Sequence, residues 1–282
     1  MSGVSQVKKK LLVAMVLCVI LLLAACSRGN DPDPDDSLQP APSAGYSVPA
    51  QDINEEMDSA IVAKCGSFEL TNELFQYFYW LEYATFVYEW QDSIRDSPYF
   101  DPYAPLAGQK LLSDDMTWQE YFISTAYDTY WMYQVIIELA KKDSSFELSN
   151  DYRQKIEQLP EQLDSDASDL GYDSADQMLQ QTFFETATKK GYLKYFDIYM
   201  LFSAYVEYLH SNIDYSEADI EYIYNRYFSG DDGGNEDIYA MCADKFKEEI
   251  IVGIIDEGKA QFGLTKYMEN IRLTDIDPAK VK

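Results

Sequence analysis

Histidine is nearly missing from this chain: His210 is the only one in 282 residues. A His-rich zinc centre is therefore excluded. A serine–histidine–aspartate triad would have one candidate base and no Gly-x-Ser-x-Gly elbow to accompany it. His210 reads instead as a helix-end residue whose charge suits the helix dipole. Basic residues are also scarce. Lys plus Arg total 22 against 49 Asp plus Glu, a formal net charge of −27, which argues against nucleic acid as a partner, since phosphates need a basic surface. The 13 glycines form no phosphate-cradling loop. Two acidic runs, Asp31, Asp33, Asp35 and Asp36, then Asp231, Asp232 and Asp237, lack the alternating ligands and terminal Glu of an EF-hand and read as solvated loops. No carboxylate pair stands at a spacing that singles it out for glycoside hydrolysis. The expectation is a protein that is not an enzyme, with no metal and no cofactor.

Cysteine is sparse, with four in the chain, and their positions differ in meaning. Lys8-Lys9-Lys10 precede an apolar run, Leu11 to Leu23, that is short for a membrane span and fits a signal-peptide core. Leu23-Ala24-Ala25-Cys26 then resembles a bacterial lipobox, in which Cys26 is acylated and becomes the mature N-terminus. Cys18 leaves with the signal peptide. Cys65 and Cys242 remain, either as a disulfide, which an extracytoplasmic compartment permits, or as two buried thiols. Residues 26–57, which include SRGNDPDPDDSLQPAPSAG, are too rich in Pro, Asp and Ser to bury a core and read as a disordered acidic tether. The localisation expected is the extracytoplasmic face of the cell membrane, reached through the lipid alone.

Aromatic residues are what the chain has in excess: 24 Tyr, 14 Phe and 4 Trp. Many fall in IVAKCGSFELTNELFQYFYWLEYATFVYEW, Ile61 to Trp90. This stretch predicts a strand at 61–63, a turn at Gly66, extended residues to Leu70, and a long helix capped by Thr71. Aromatics fall on every face of that helix, so other helices must wrap it or its rings must meet something else. After a Pro-rich loop, Thr117-Trp118-Gln119-Glu120 is a capping box. It opens a helix running to Lys142, with Phe122, Ala126, Thr129, Tyr133, Ile136 and Ala140 on one stripe. Ser149 caps a polar helix that Pro160 should kink or break and Gly171 should end. Ser174 caps a short helix, and a second apolar helix is expected over 184–211. Ser216 begins another helix, SGDDGGNED interrupts the chain, and a last helix covers about 236–262. LTKYMEN should then form a short helix, and IRLTDID a strand that pairs with 61–70.

The order of these motifs resembles the SurA/PrsA-type extracytoplasmic foldases. IVAKCGSFELTNELFQYFYW looks like their opening strand and helix, TWQEYFISTAYDTYWMYQVIIELAKK like the second helix, LGYDSADQMLQQTF like the Gly-x-x-Ser turn, and YSEADIEYIYNRYF like the helix before the parvulin insert. The tail from Lys245 to Asp277 resembles the segment that completes the chaperone domain. Only about eighteen residues, Ser229 to Phe246, stand where a parvulin domain would be inserted, and His210 lies outside that gap. The resemblance therefore implies a chaperone-type domain without the isomerase, and it carries over no catalytic residue.

The expected fold is mainly α, a SurA N-like helical domain over 58–278 with a small two-stranded sheet joining its ends, followed by a tail at 279–282. The expected function is a lipid-anchored chaperone-like protein that binds unfolded or secreted polypeptides. Phe75, Tyr79, Tyr83, Trp90, Trp118, Tyr195, Tyr199 and Phe202 are the candidate peptide-binding residues. The alternative is a non-catalytic binding lipoprotein for a small ligand or an envelope partner.

Overall fold

Ile61–Cys65 (β1) and Phe68–Thr71 (β2) form an antiparallel hairpin. The chain reverses at Gly66, whose φ of +59° suits a residue without a Cβ. Val62, Ala63, Cys65 and Leu70 turn inward and are buried, while Lys64 and Glu69 pair outward across the strands at 2.6 Å. The computed structural model describes residues 59–94, 99–111, 115–228, 236–274 and 276. Cys26, the tether and the two acidic runs fall outside the described residues, or on positions whose side chains are not described.

Seven α-helices and a three-stranded antiparallel sheet make up the regular structure among these residues. Helix α1 spans Asn72–Ile94. The Thr71 hydroxyl accepts from the Leu74 amide at 3.4 Å, which satisfies one of the unpaired N–H groups at the helix start. Asn72 and every residue from Leu74 to Ala84 are buried, so this helix is enclosed on all sides over its first three turns. Its wrapping comes from α2 (Trp118–Lys142) and α5 (Lys189–Asn212). Phe75 meets Tyr127 at 4.7 Å, Phe78 meets Tyr130, Tyr133 and Tyr195 edge-on, and Tyr133 stacks on Phe202 at 4.0 Å. Edge-to-face contacts of this kind, with the Tyr133–Phe202 stack among them, let many rings share one core.

The Thr117–Glu120 capping box forms as expected: the Thr117 hydroxyl accepts from the Glu120 amide, and the Glu120 carboxylate accepts from the Thr117 amide at 2.7 Å. All six residues of the expected stripe are buried. Helix α3 (Asn150–Asp169) corrects the expectation of a break, because it is continuous through Pro160. Leu159, Leu163 and Ala167 keep one buried face on both sides of the proline, and that burial offsets a missing backbone hydrogen bond. The helix ends in a Schellman motif at Gly171 (φ +79°), with Tyr172 N–H donating to Ala167 O and Gly171 N–H to Ser168 O. Helix α4 (Ala175–Thr182) is capped by Ser174. The second apolar helix begins at Lys189, not at 184. Phe183 and Phe184 are buried beside Tyr77 in the turn before it, and Thr188 caps it by accepting from Gly191 N at 2.9 Å.

Helix α6 (Glu217–Tyr227) and the long α7 (Glu236–Gln261) pack on each other. Ile220, Ile223, Cys242 and Ala243, flanked by Tyr224, Phe228, Ile238 and Phe246, form a small satellite core between them. The C-terminal half of α7 lies on α2 so closely that a Cβ at Gly258 would fall 2.2 Å from Val135 Cγ1.

The two ends of the described helical domain meet, but not through the strand expected. Leu264–Lys266 forms β3, where a helix had been predicted, and pairs antiparallel with β1 in the register Ala63–Lys266, Lys64–Thr265 and Cys65–Leu264. The sheet order is β2-β1-β3. The first extended residues after α7 take the free edge of β1, so the later alternating segment finds no strand edge there. A 3₁₀ turn at Met268–Asn270 follows, and the Asn270 side chain donates to Ile61 O at 2.8 Å. Residues 271–274 are not a strand; they run beside α1. Among the described residues no helix is long and apolar enough to cross a membrane.

Candidate polypeptide-binding site

The eight aromatic candidates separate by burial. Phe75, Tyr195, Tyr199 and Phe202 are core residues between α1, α2 and α5, none more than 8% exposed. Their rings pack against Tyr127, Phe78 and Tyr133, so they are not a surface and the expectation for them is corrected. Trp118 is half-buried: its indole N–H donates to Tyr99 O at 2.9 Å and its ring lies against Phe86 and Phe100. Trp90, near the end of α1, is exposed. Tyr79 and Tyr83 are also buried, yet they line a cavity of about 230 Å³ together with Pro102, Tyr103, Leu106, Gln119, Thr274 and Ile276.

Beside that cavity the C-terminal segment is held by two side-chain amides of α1. Asn72 Nδ2–H donates to Arg272 O at 2.9 Å, and Arg272 N–H donates back to Asn72 Oδ1 at 2.9 Å. One turn on, Gln76 Nε2–H also donates to Arg272 O, while Thr274 N–H donates to Gln76 Oε1 at 3.3 Å. Two amides at i and i+4 thus do for this segment what a neighbouring strand would do. Asn72 and Gln76 are 1% and 3% exposed. The sequence carried a signal for them: they are polar residues one turn apart in the aromatic-rich first turns of the helix, and such residues are buried only with hydrogen-bond partners.

A second cavity, about 450 Å³, lies between the start of α2 and β3. Asp115, Met116, Glu120, Ile123, Ser124, Tyr127, Lys266 and Met268 line it. The Tyr127 hydroxyl donates to Val62 O, and Lys266 Nζ stands 4.9 Å from the Tyr127 ring centre.

The third feature is the outer surface of the α6–α7 pair. Tyr215, Tyr222, Tyr227, Tyr239, Met241 and Ile250 are exposed there. Tyr215 and Tyr239 pack edge to face at 6.4 Å, Lys247 lies over Tyr215, and Arg226 lies over Tyr222 and Tyr227. Nothing in the sequence sets these rings apart from the buried ones, because ring exposure depends on which helix packs on which.

Cys65 and Cys242 are free thiols, both buried, in β1 and α7, so the pairing that the sequence left open is not formed. Burial pushes the Cys65 thiol up to about 11, helped by the charge of Glu138, and burial also raises Cys242. Neither is poised as a nucleophile, since reactive thiols have lowered pKa values. His210, in the last turn of α5, has Nε2 3.4 Å from Asp244 Oδ1. Among the described residues no three His, Cys, Asp or Glu side chains gather as a metal centre would require. Comparison with known protein families, with characterised proteins and with solved structures finds no match for this chain.

Proposed function

We propose that the protein is a lipid-anchored, extracytoplasmic chaperone-like module that binds unfolded or exported polypeptides and has no isomerase activity. The observation that carries this reading is the α6–α7 surface, where exposed tyrosines and Met241 are interleaved with lysine and arginine. Tyrosine offers a wide, rigid ring with a polar tip, and methionine adapts its shape to irregular partners. Such a surface tolerates many sequences, which is what unfolded clients require. The order of the foldase-like motifs supports the same reading, and the strong negative charge of the chain favours basic clients.

The test is an aggregation assay with the fragment 58–282 and a thermally unfolding substrate. Suppression of light scattering near equimolar ratio is expected, and a Tyr222→Ser, Tyr239→Ser, Met241→Ser triple variant should lose most of it. A wild-type fragment that neither delays aggregation nor binds unfolded substrate would overturn the reading. Turnover of a proline-containing peptide should be at the uncatalysed rate. The cavity of about 450 Å³ favours one second reading, a binding lipoprotein for a small ligand; its volume is in the range of small-molecule sites.

A further inference from the structure

We propose that the amide pair Asn72 and Gln76, with the cavity beside it, is a backbone-reading groove for extended polypeptide, and that residues 271–274 and 276 occupy it in cis as a displaceable strap. The proposal rests on the chaperone reading and gives it a second, distinct site of contact.

The strap is bound in a way that ignores its sequence. Every hydrogen bond from Asn72 to it goes to a backbone group of Arg272, and Gln76 bonds Arg272 O and Thr274 N–H. Among the described residues the one side-chain hydrogen bond from strap to groove, from Thr274 Oγ1 to Gln76 Oε1, is long at 3.4 Å. The Arg272 side chain is not used by the groove: its guanidinium donates to Glu269 O and Ile271 O, within its own segment. Any extended chain presents the same N–H and C=O groups at the same spacing. Next to the ladder, the cavity under Tyr79 and Tyr83 has Thr274 and Ile276 as one wall, which gives a following side chain a place to enter. Backbone bonds for affinity and an adjacent pocket for side chains are the two parts of a strand-type peptide site.

With the strap in place Asn72 and Gln76 are almost wholly buried, and its departure opens them to water, which trades these bonds for bonds to solvent. Strap and client backbone bond the same two amides, so they compete for the groove. The strap is suited to leave: beyond β3 it belongs to no sheet, and its residues are half-buried or exposed. Its occupancy lowers the apparent client affinity by the fraction of time that the groove is open.

The test uses the full chain and, as probe, a permanently unfolded, reduced and carboxymethylated lactalbumin. Hydrogen exchange is followed in residues 271–276 and in α2, with and without probe. On probe binding, exchange in 271–276 should rise by about tenfold or more while α2 is unchanged. Thr274→Pro removes the N–H that Gln76 accepts and should tighten probe binding by about threefold to tenfold. Binding that leaves exchange in 271–276 unaltered overturns the groove and leaves the chaperone reading standing. A chain that does not bind the probe at all overturns both. Because exchange is read on the wild-type chain, the outcome does not depend on the variant folding.

Discussion

A methyl group at Gly258 would collide with Val135, which is itself fully buried. Gly258→Ala should therefore destabilise the protein by about 1–3 kcal/mol, the usual cost of overpacking. In combination with Val135→Ala the loss should be clearly less than additive, as a double-mutant cycle by urea denaturation would measure. Nothing in the sequence distinguishes Gly258 from the other glycines, since close approach is a property of two helices and not of one. The stripe from Phe122 to Ala140 was legible because helical spacing alone defines a face. The eight aromatic candidates were not separable in the same way. Phe75 and Trp90 lie on one helix and are equally apolar, yet one is core and the other exposed. The difference lies in how far α2 and α5 extend along α1, which no local pattern encodes.

Caps carried much of what was readable about the elements. Thr71, Thr117, Ser149, Ser174 and Ser216 each satisfy a first-turn amide as their side chains predict. Strand edges were less legible. Alternation marked 271–277 as extended, but a strand forms where a free edge is reached first, and Leu264–Lys266 reaches it. The α6–α7 pair gives the element-scale prediction. Ile223 is fully buried in a satellite core that the central aromatic core does not share. Ile223→Ala should cost about 2–5 kcal/mol locally. Amides of α6 should then lose most of their exchange protection while those of α2 keep theirs. A uniform loss across both helices would mean that the pair is part of the main cooperative unit.

For the whole molecule, burial raises the pKa of Tyr77, Tyr127, Tyr130 and Tyr152, pushes Tyr205 up to about 12, and pushes Cys65 up to about 11. In the unfolded chain these groups ionise near their ordinary values, about 10 for tyrosine and about 8.5 for a thiol. Above those values the unfolded state gives up protons that the folded state keeps, so stability falls as pH rises. Their contribution is intact below about pH 8 and is progressively lost from about pH 9 towards pH 12. Denaturation midpoints across that range should drop, with tyrosinate absorbance appearing together with unfolding. A midpoint that stays level to pH 11 would contradict the burial of these hydroxyls. At the acid end, hydrogen bonds from Ser145, from Thr117 and from Ser216 hold Asp143, Glu120 and Asp219 below the usual carboxylate range. Those exposed contacts stabilise above about pH 4 and fade below it.

The position of β1 between β2 and β3 has a temporal consequence. Its second neighbour, and the Arg272 backbone that Asn72 receives from 200 positions away, come after all seven helices in chain order and are made after them. The helix–turn–helix pieces and the β1–β2 hairpin can form while synthesis proceeds, but the third strand and the burial of the Asn72 and Gln76 amides must wait for residues 264–274. Closing so long a loop slows folding relative to a bundle with neighbouring contacts only. The same arrangement makes the segment from Leu264 to Thr274 a condition of stability. A product truncated before Leu264 would expose an unpaired β1 edge and two orphaned amides, marking it for proteolysis ahead of any finished chain.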